Sequence, residues 1–262
     1  MEALIARMKG DDRRELILAE VLANNGHVTE LVERFRTSPA TIRRDLERLK
    51  DEGRVTRTYG GAVARSRPIE LSLQEKELSH PREKEAIARL AAGLIEEGDV
   101  VILDAGTTPG HIARELRNRS GITVITNGMS ALAALRDAEG IEVILLGGTL
   151  RHRSQAVIGS IAEETVRRIR ADKVFLGADG VVAGEGLNSS TEAQAHWKSV
   201  ILDQASEVYL AADHSKLGVR GFAYLTPVDR DYTVITDWAA TPNQVQAFVK
   251  RGISVLLADG PG

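Results

Sequence analysis

Three residues with the chemistry to read DNA lie close together in the segment 37–49, TSPATIRRDLERL: Thr41, Arg43 and Arg44. An arginine that reaches the floor of the major groove binds guanine O6 and N7, which is the commonest specific protein–DNA contact. We therefore expect these three side chains to reach base edges. Contacts to phosphate groups would fix the register. The residues expected to make them are Ser38, Arg54, Arg57 and Tyr59.

A short helix has to carry these arginines. Ser38 is a good N-cap, because its hydroxyl accepts a hydrogen bond from an unpaired backbone N–H. Pro39 then suits the first helical position, where its missing N–H costs nothing. Ile42, Leu46 and Leu49 recur at helical spacing and are expected to face inward. The alternative interpretation is an ordinary amphipathic helix whose arginines are only solvated.

The segments on either side of this helix favour DNA binding. Residues 12–23 and 27–35 each read as a short amphipathic helix, and the Asn24-Asn25-Gly26 turn separates them. With residues 36–38 as a tight turn, the three helices predict a helix-turn-helix unit. The following RVTRTYGGA, residues 54–62, predicts a small β wing that turns at Gly60-Gly61.

The charge distribution agrees with this interpretation, although the net charge of the chain is only −3. Residues 36–67 contain nine Lys and Arg against four Asp and Glu, so this segment carries +5 and the rest of the chain −8. A basic segment on an acidic body is typical of a protein that binds DNA through that segment alone.

Composition excludes several other classes of protein. The chain of 262 residues has no cysteine, which rules out disulfides and thiolate metal sites. No apolar run approaches the length of a membrane span, and the first residues lack a signal-peptide pattern. We therefore expect a cytoplasmic protein without membrane contact. The six histidines lack close metal-ligand spacing, so neither a metal nor another cofactor is expected.

From residue 100 onward, short apolar runs alternate with amphipathic helices. Examples are the runs 100–103, 122–125, 143–146, 174–176, 208–210 and 253–257. This pattern predicts an α/β domain with a mostly parallel, Rossmann-like sheet. Ligands of such sheets bind outside the carboxyl ends of the strands, so the loops that follow the strands are the places to search for a site.

The first of these loops, Asp104-Ala105-Gly106-Thr107-Thr108, has the composition of an anion site. Gly106 lets the backbone approach a ligand, and Thr107 and Thr108 offer hydroxyl and N–H groups at a helix N-terminus. The loop is neither a Walker loop nor a GxGxxG motif, which argues against ATP and NAD. The alternative is a capped helix without a ligand.

Four later loops add polar or small residues at the same edge: Asn127, Gly148, Asp179 and Lys216. Asn127 and Asp179 are suited to sugar hydroxyls, and Lys216 to a phosphate. Gly148 would leave the cleft open. Each residue alone is equally well explained as a turn former or a cap, but together they predict a pocket for a phosphorylated sugar.

The motifs resemble the DeoR family of bacterial transcriptional regulators. TIRRDL with the downstream YGGA carries the resemblance in the head, and DAGTT, ITNG, LLGG, FLGADG, ADHSKLG and VITD extend it to residue 257. The resemblance implies a winged helix-turn-helix domain (1–67), a linker (68–81) and an α/β sensing domain (82–262) similar in fold to ribose-5-phosphate isomerase. It also implies that Thr107 and Thr108 hold phosphate while Asp179 and Lys216 face the sugar.

An isomerase that carries a DNA-binding head is the alternative from another class. Proton transfer needs a base and an acid on both sides of the substrate. Asp179 is followed by Gly180-Val181-Val182 rather than by a second acidic pair, and Asp104 is the remaining carboxylate in the cleft. We therefore expect binding without turnover and assign no catalytic residue. A module for membranes or protein partners is disfavoured, since no amphipathic stripe or lipid motif is present.

The sequence thus predicts a transcriptional regulator, a repressor of carbohydrate metabolism genes, with a sugar phosphate as its effector and double-stranded operator DNA as its partner. A homodimer or homotetramer is expected, because one short reading helix gives limited specificity and operator half-sites are usually paired.

Overall fold

The computed structural model describes residues 13–14, 16–18, 20–21, 26–51, 54–58, 60–64 and 70–260. The chain divides into two compact units, with the boundary between Leu71 and Ser72. Residues 72–81, which the sequence assigns to a linker, therefore lie in the second unit. Residues 65–69, which include the last three residues of the predicted head and the first two of the predicted linker, and the predicted turn residues Asn24 and Asn25 lie outside the described part of the chain.

The first unit is a helical head with a two-stranded wing, as the sequence predicts. The described residues between 13 and 21 are helical. They are followed by α1 (Val28–Phe35), α2 (Pro39–Asp51), β1 (Val55–Thr58) and β2 (Gly61–Ala64), and the two strands pair antiparallel. One small core holds these elements together. Its buried members include Ile17, Leu31, Phe35, Ile42, Leu46, Leu49 and Val55.

Backbone hydrogen bonds attach the wing to the start of α1. Val28 N donates to Gly60 O at 2.9 Å, and Ala62 N donates to Gly26 O at 2.9 Å. Gly61 allows this close approach, because a Cβ there would lie 2.5 Å from the Gly26 carbonyl oxygen. The Gly-Gly pair therefore fixes the position of the wing as well as its turn.

The second unit is built on a parallel sheet, again as predicted. Within the described residues the sheet has seven strands: β3 (Val100–Leu103), β4 (Ile122–Thr126), β5 (Ile141–Leu145), β8 (Ala171–Leu176), β11 (Ala205–Ala211), β13 (Thr233–Asp237) and β14 (Ser254–Ala258). Their order across the sheet is β14-β13-β11-β8-β3-β4-β5.

Helices cover both faces of this sheet, and each face has its own apolar core. The helices are α4 (Pro81–Gly93), α5 (Thr107–Leu116), α6 (Met129–Leu135), α7 (Ser160–Val166), α8 (Glu192–Leu202) and α9 (Pro242–Val249). Side chains of β3 alternate between the cores, as a strand requires. Val101 and Leu103 pack with α4, α5 and α6, whereas Ile102 packs with α7, α8 and α9.

Several short elements of the second unit were not expected from the sequence. They are α3 (Leu73–Leu78), the hairpin of β6 (Thr149–Arg151) and β7 (Ala156–Ile158), helix α7, and a small antiparallel sheet. That sheet joins β9 (Gly180–Val182), β10 (Gly186–Ser189) and β12 (Tyr224–Thr226). Three-residue strands are too short to show a clear period, and α3 (LQEKEL) has no apolar stripe. Among the described helices, none has the length and hydropathy that a membrane crossing requires.

Candidate DNA-reading helix and candidate effector cleft

Helix α2 begins and packs as its sequence predicts. The Thr41 N–H donates to Ser38 Oγ at 3.1 Å, and the two hydroxyl oxygens lie 2.9 Å apart. Ile42, Leu46 and Leu49 are fully buried behind the helix. Arg43 and Arg44 are exposed, so the arginine-bearing face is the face that the core leaves open.

The acidic residue after the arginine pair has a structural role. Asp45 is buried, and its carboxylate accepts from Arg13 Nε at 2.6 Å and from Arg13 Nη2 at 3.3 Å. This ion pair ties α2 to the first helical segment. The sequence analysis did not identify Asp45. The signal that could have indicated its structural role is an acidic residue directly after Arg43 and Arg44 in the same helix.

The predicted phosphate contacts of the wing are only partly described. Arg54 precedes β1 and is half-buried. Arg57 belongs to β1, but its side chain lies outside the described part, as does the whole of Tyr59. The phosphate contacts of these three residues stay predictions.

In the second unit a cavity of about 60 Å³ lies at the carboxyl ends of β3 and β8. Its lining comes from the loop 105–109, the loop 177–179, helix α3, Ser154 of the β6–β7 hairpin, and Gln194 and Lys198 of α8. A cavity of this size is larger than one water molecule needs. A larger depression of about 730 Å³ lies at the amino ends of β11, β13 and β14, away from the edge where such sheets bind ligands.

The start of α5 presents backbone N–H groups to the cavity. Gly106 has a φ of 151°, and no side chain caps the helix. In the described part of the chain, the N–H groups of residues 106–108 donate to no other backbone group. Thr107 and Thr108 are buried, so this helix start is partly enclosed, and a helix N-terminus of this kind favours an anion.

The Asp104 side chain points to α8 and contacts two residues of that helix. Its carboxylate accepts from Trp197 Nε1 at 3.1 Å and forms a short ion pair with Lys198 Nζ. Lys198 Nζ also donates to Gly177 O at 2.6 Å. The carboxylate therefore holds an ammonium group at the wall of the cavity. Lys198 was not singled out from the sequence, where it is one lysine inside an amphipathic helix.

Asn127 and Gly148 shape loops and do not line the cavity. Asn127 is buried, its Oδ1 accepts from Ala105 N at 3.0 Å, and its Nδ2 donates to Val157 O at 3.0 Å. Gly148 has a φ of 146°, and a Cβ there would lie 2.7 Å from Ile158 O. The first holds the 104–108 loop, and the second lets the chain enter the β6–β7 hairpin.

Asp179 lies at the cavity and is paired with a lysine that sequence reasoning missed. Lys76 Nζ of α3 lies 2.5 Å from Asp179 Oδ1. Burial alone would raise the pKa of Asp179, but the ammonium groups of Lys76, Lys216 and Lys198 bring that pKa below its ordinary value. Asp179 is therefore an ionised acceptor at neutral pH.

Ser154 is a second missed residue of the cavity. Its Oγ is buried and has no hydrogen-bond partner in the structure. An unsatisfied buried hydroxyl calls for an explanation, and here it lies where a polar ligand would supply the missing partner.

Lys216 lies beside the cavity, in the 3₁₀ helix His214–Lys216. It does not line the cavity itself. Burial alone would raise the pKa of Asp213, but Lys216, His80, the Ser215 side chain and Lys84 lower it. Burial lowers the pKa of Lys84 to about 8. The charged residues around Asp213 thus form a second group, next to the group around Asp179.

Histidines far apart in the sequence meet in this group. Among the described residues, His80, Asp213 and His214 have ligand atoms within 4.8 Å of one another. The spacing of the histidines in the sequence did not indicate this. Because Lys84 and Lys216 already balance the Asp213 carboxylate, we assign no metal ion to the cluster. His214 Nδ1 lies 2.9 Å from Asp237 Oδ1.

Comparison with known proteins places both units. A DeoR-like helix-turn-helix domain matches residues 13–67, and a DeoR C-terminal sensor domain matches residues 79–238. The chain is 32% identical over 252 residues to the glycerol-3-phosphate regulon repressor of Escherichia coli (strain K12), which spans 95% of this chain and 100% of that protein. It is 36% identical over 238 residues to the lactose phosphotransferase system repressor of Streptococcus mutans serotype c, with 88% and 93% covered.

Solved structures add a distant likeness. Ribose 5-phosphate isomerase A from Methanocaldococcus jannaschii is 22% identical with a TM-score of 0.38, and the match covers 51% of this chain and 52% of that one.

Proposed function

Because the chain belongs to the DeoR family of transcriptional regulators, we propose that it represses genes of carbohydrate metabolism by binding operator DNA through α2, under the control of a phosphorylated sugar bound to its sensor unit. We place this activity in the cytoplasm, with a homodimer or homotetramer as the binding species.

For the DNA contact we propose that Thr41, Arg43 and Arg44 reach base edges, while Ser38, Arg54, Arg57 and Tyr59 contact phosphates. The exposure of both arginines on a helix whose opposite face is buried supports this assignment. Ser38 and Thr41 hydrogen-bond to each other at the start of α2. A backbone phosphate contact from that turn is compatible with the N-cap, since helix N-termini attract phosphate oxygens.

For the effector we propose that the phosphate binds the start of α5 and that the sugar hydroxyls face Asp179. The observation that carries this proposal is the uncapped, partly enclosed α5 N-terminus at Gly106, Thr107 and Thr108. Lys198 and Lys216 supply positive charge nearby. Asp104 and Asn127 act indirectly. Asp104 holds the Lys198 ammonium group in place, and Asn127 holds the 104–108 loop.

Binding without catalysis is the function that these contacts support. Asp104 is committed to Trp197 and Lys198, and Asp179 is an ionised carboxylate with a lysine partner. A sugar-phosphate isomerase with an accessory head remains the alternative. A direct assay of aldose–ketose interconversion separates the two functions, and we expect no turnover.

A gel-shift titration tests the proposed function. Full-length protein is titrated onto DNA from upstream of its own gene in the presence of random competitor, and the titration is repeated across a panel of sugar phosphates. We expect a specific shift that one compound abolishes. Absence of specific DNA binding, together with consumption of one of the sugars, would favour the isomerase.

A further inference from the structure

Helix α3 borders the candidate effector cleft and contributes two of its lining residues. Leu73 and Lys76 line the cavity together with Asp179 and the start of α5. The Lys76 and Asp179 side chains are 24% and 12% exposed, so their ion pair is partly shielded from solvent. α3 is the first helix of the second unit along the chain, directly after the boundary with the head.

Polar contacts, rather than apolar packing, hold α3 in place. None of its residues is buried, and Leu78 is 83% exposed. Leu73 N donates to Arg153 O at 3.0 Å. The Glu77 carboxylate lies 2.8 Å from Arg114 Nη1 and 3.1 Å from His111 Nε2. A segment without buried apolar contacts has low local stability, so its position depends on a few such bonds.

The size of the cavity bears on how a ligand could enter. With α3 seated, the cavity measures about 60 Å³, whereas pockets for small organic ligands measure about 300–1,000 Å³. A phosphate group alone needs far less room than a whole sugar phosphate. A shift of one wall would enlarge the cavity for the remainder of such a ligand, and α3 is a wall that has no buried residue.

Resting on the proposed function, we propose that Lys76 is the residue that senses the effector: a sugar hydroxyl takes the place of its ammonium group on Asp179, and α3 is released. Asp179 accepts a hydrogen bond from either group, and the ammonium groups of Lys216 and Lys198 still offset its charge after the exchange. The effector then has different affinities for the seated and the released form of α3, which is the condition for a ligand to control a second site. An α3 that stays seated while ligand binds is the competing view.

Hydrogen exchange of the full-length protein, without ligand, tests the first half of the proposal. Lys76→Met keeps the aliphatic stem and removes the ammonium group, whereas Gln74→Ala changes an exposed neighbour on the same helix as a control. We expect the amides of residues 73–78 to exchange several-fold faster in Lys76→Met than in the wild type or in Gln74→Ala. Asp179→Asn breaks the same pair from the other side and is expected to act alike. Unchanged exchange in both variants overturns the proposal.

DNA release tests the second half. In the gel shift with the sugar-phosphate panel, Lys76→Met should release operator DNA at an effector concentration about fivefold lower than wild type, the scale of one ion pair. Release at the wild-type concentration overturns effector exchange at Asp179, with the regulator function intact. If no compound releases wild-type DNA while Lys76→Met still accelerates exchange in α3, the effector class fails and the Lys76 contact stands.

Discussion

The two units of this protein build their functional surfaces in opposite ways. In the head, the residues proposed to read bases lie within four positions of one helix, and the fold only has to bury the other face of that helix. In the sensor unit, the cavity draws on α3, the loops after β3 and β8, the β6–β7 hairpin and α8. A contiguous surface is visible in the sequence, whereas an assembled one depends on which elements the topology brings together.

The two surfaces also differ in whether their charges are already paired within the protein. Arg43 and Arg44 are exposed. Water solvates their charges, so these charges cost the free protein little desolvation free energy. The cavity instead has charges that already neutralise each other, such as Asp104 with Lys198 and Asp179 with Lys76. A ligand of the head adds contacts, whereas a ligand of the cleft has to replace them.

The largest expected effect comes from breaking a charge pair of the cleft. Lys198→Met leaves the Asp104 carboxylate buried, with Trp197 Nε1 as its remaining side-chain donor among the described residues. Removing one member of a buried pair costs about 3–5 kcal/mol. Urea denaturation should show this loss in the unfolding of the sensor unit. The double variant Asp104→Asn with Lys198→Met should recover part of it. Equal stability of wild type and Lys198→Met would show that the pair is not buried in solution.

The next effect concerns the head. Arg44→Ala should weaken operator binding by about 1–3 kcal/mol and relax specificity at one base pair, because a bidentate arginine–guanine contact is lost. Arg44→Lys is the matched control. It keeps the charge but not the planar fork, so it should retain affinity for random DNA and still lose specificity. Gel shifts on operator and random DNA measure both. An equal loss on the two DNAs in Arg44→Ala would contradict base reading.

A smaller effect is expected at the anion site. Thr108→Ala and Lys216→Ala should leave operator binding intact and raise the effector concentration needed for release by about five- to thirtyfold, which corresponds to about 1–2 kcal/mol for a lost hydrogen bond to the phosphate. Thr165→Ala provides a control, since Thr165 is an exposed threonine of α7 whose hydroxyl donates to Ile161 O. Unchanged effector sensitivity in both cleft variants would remove these residues from the site.

The smallest effect is a pH dependence. The pKa of Asp179 lies below the ordinary value of 3.8 in the folded protein, since Lys76, Lys216 and Lys198 outweigh burial. Its contribution to stability is therefore present above about pH 4 and lost as the pH falls through the folded pKa. Asp179→Asn should flatten that part of the acid denaturation curve followed by circular dichroism. A curve as steep as that of the wild type would contradict the ion pair.

The sequence was sufficient for the architecture because periodicity and caps are local signals. Ser38-Pro39 marks the start of α2, and the alternation of apolar runs with helices predicts the parallel sheet, which the structure confirms. Glycine and threonine after a strand also have a direct physical meaning, so the sequence predicts an anion site at the 104–108 loop, and that assignment stays a prediction.

The partners within the cleft were beyond the sequence. Lys76 and Asp179 are separated by 103 positions, and Asp104 and Lys198 by 94, so no local pattern connects them. The sequence predicts a linker where α3 lies, because the Ser72–Glu75 capping box is the one clear helix signal in that segment. Ser154 depends on a hairpin with three-residue strands, and His80 meets His214 only through the fold.

The side chains of β3 alternate between two cores, and this alternation determines how precisely the loop after the strand is positioned. A slip of one residue in this strand would exchange Val101 and Leu103 with Ile102, which would place every side chain in the wrong core at once. Such an error is so costly that the strand has one permitted alignment between β4 and β8. The loop that begins at Asp104 therefore has a fixed starting position. The apolar packing of β3 on both faces of the sheet determines where the proposed anion site lies.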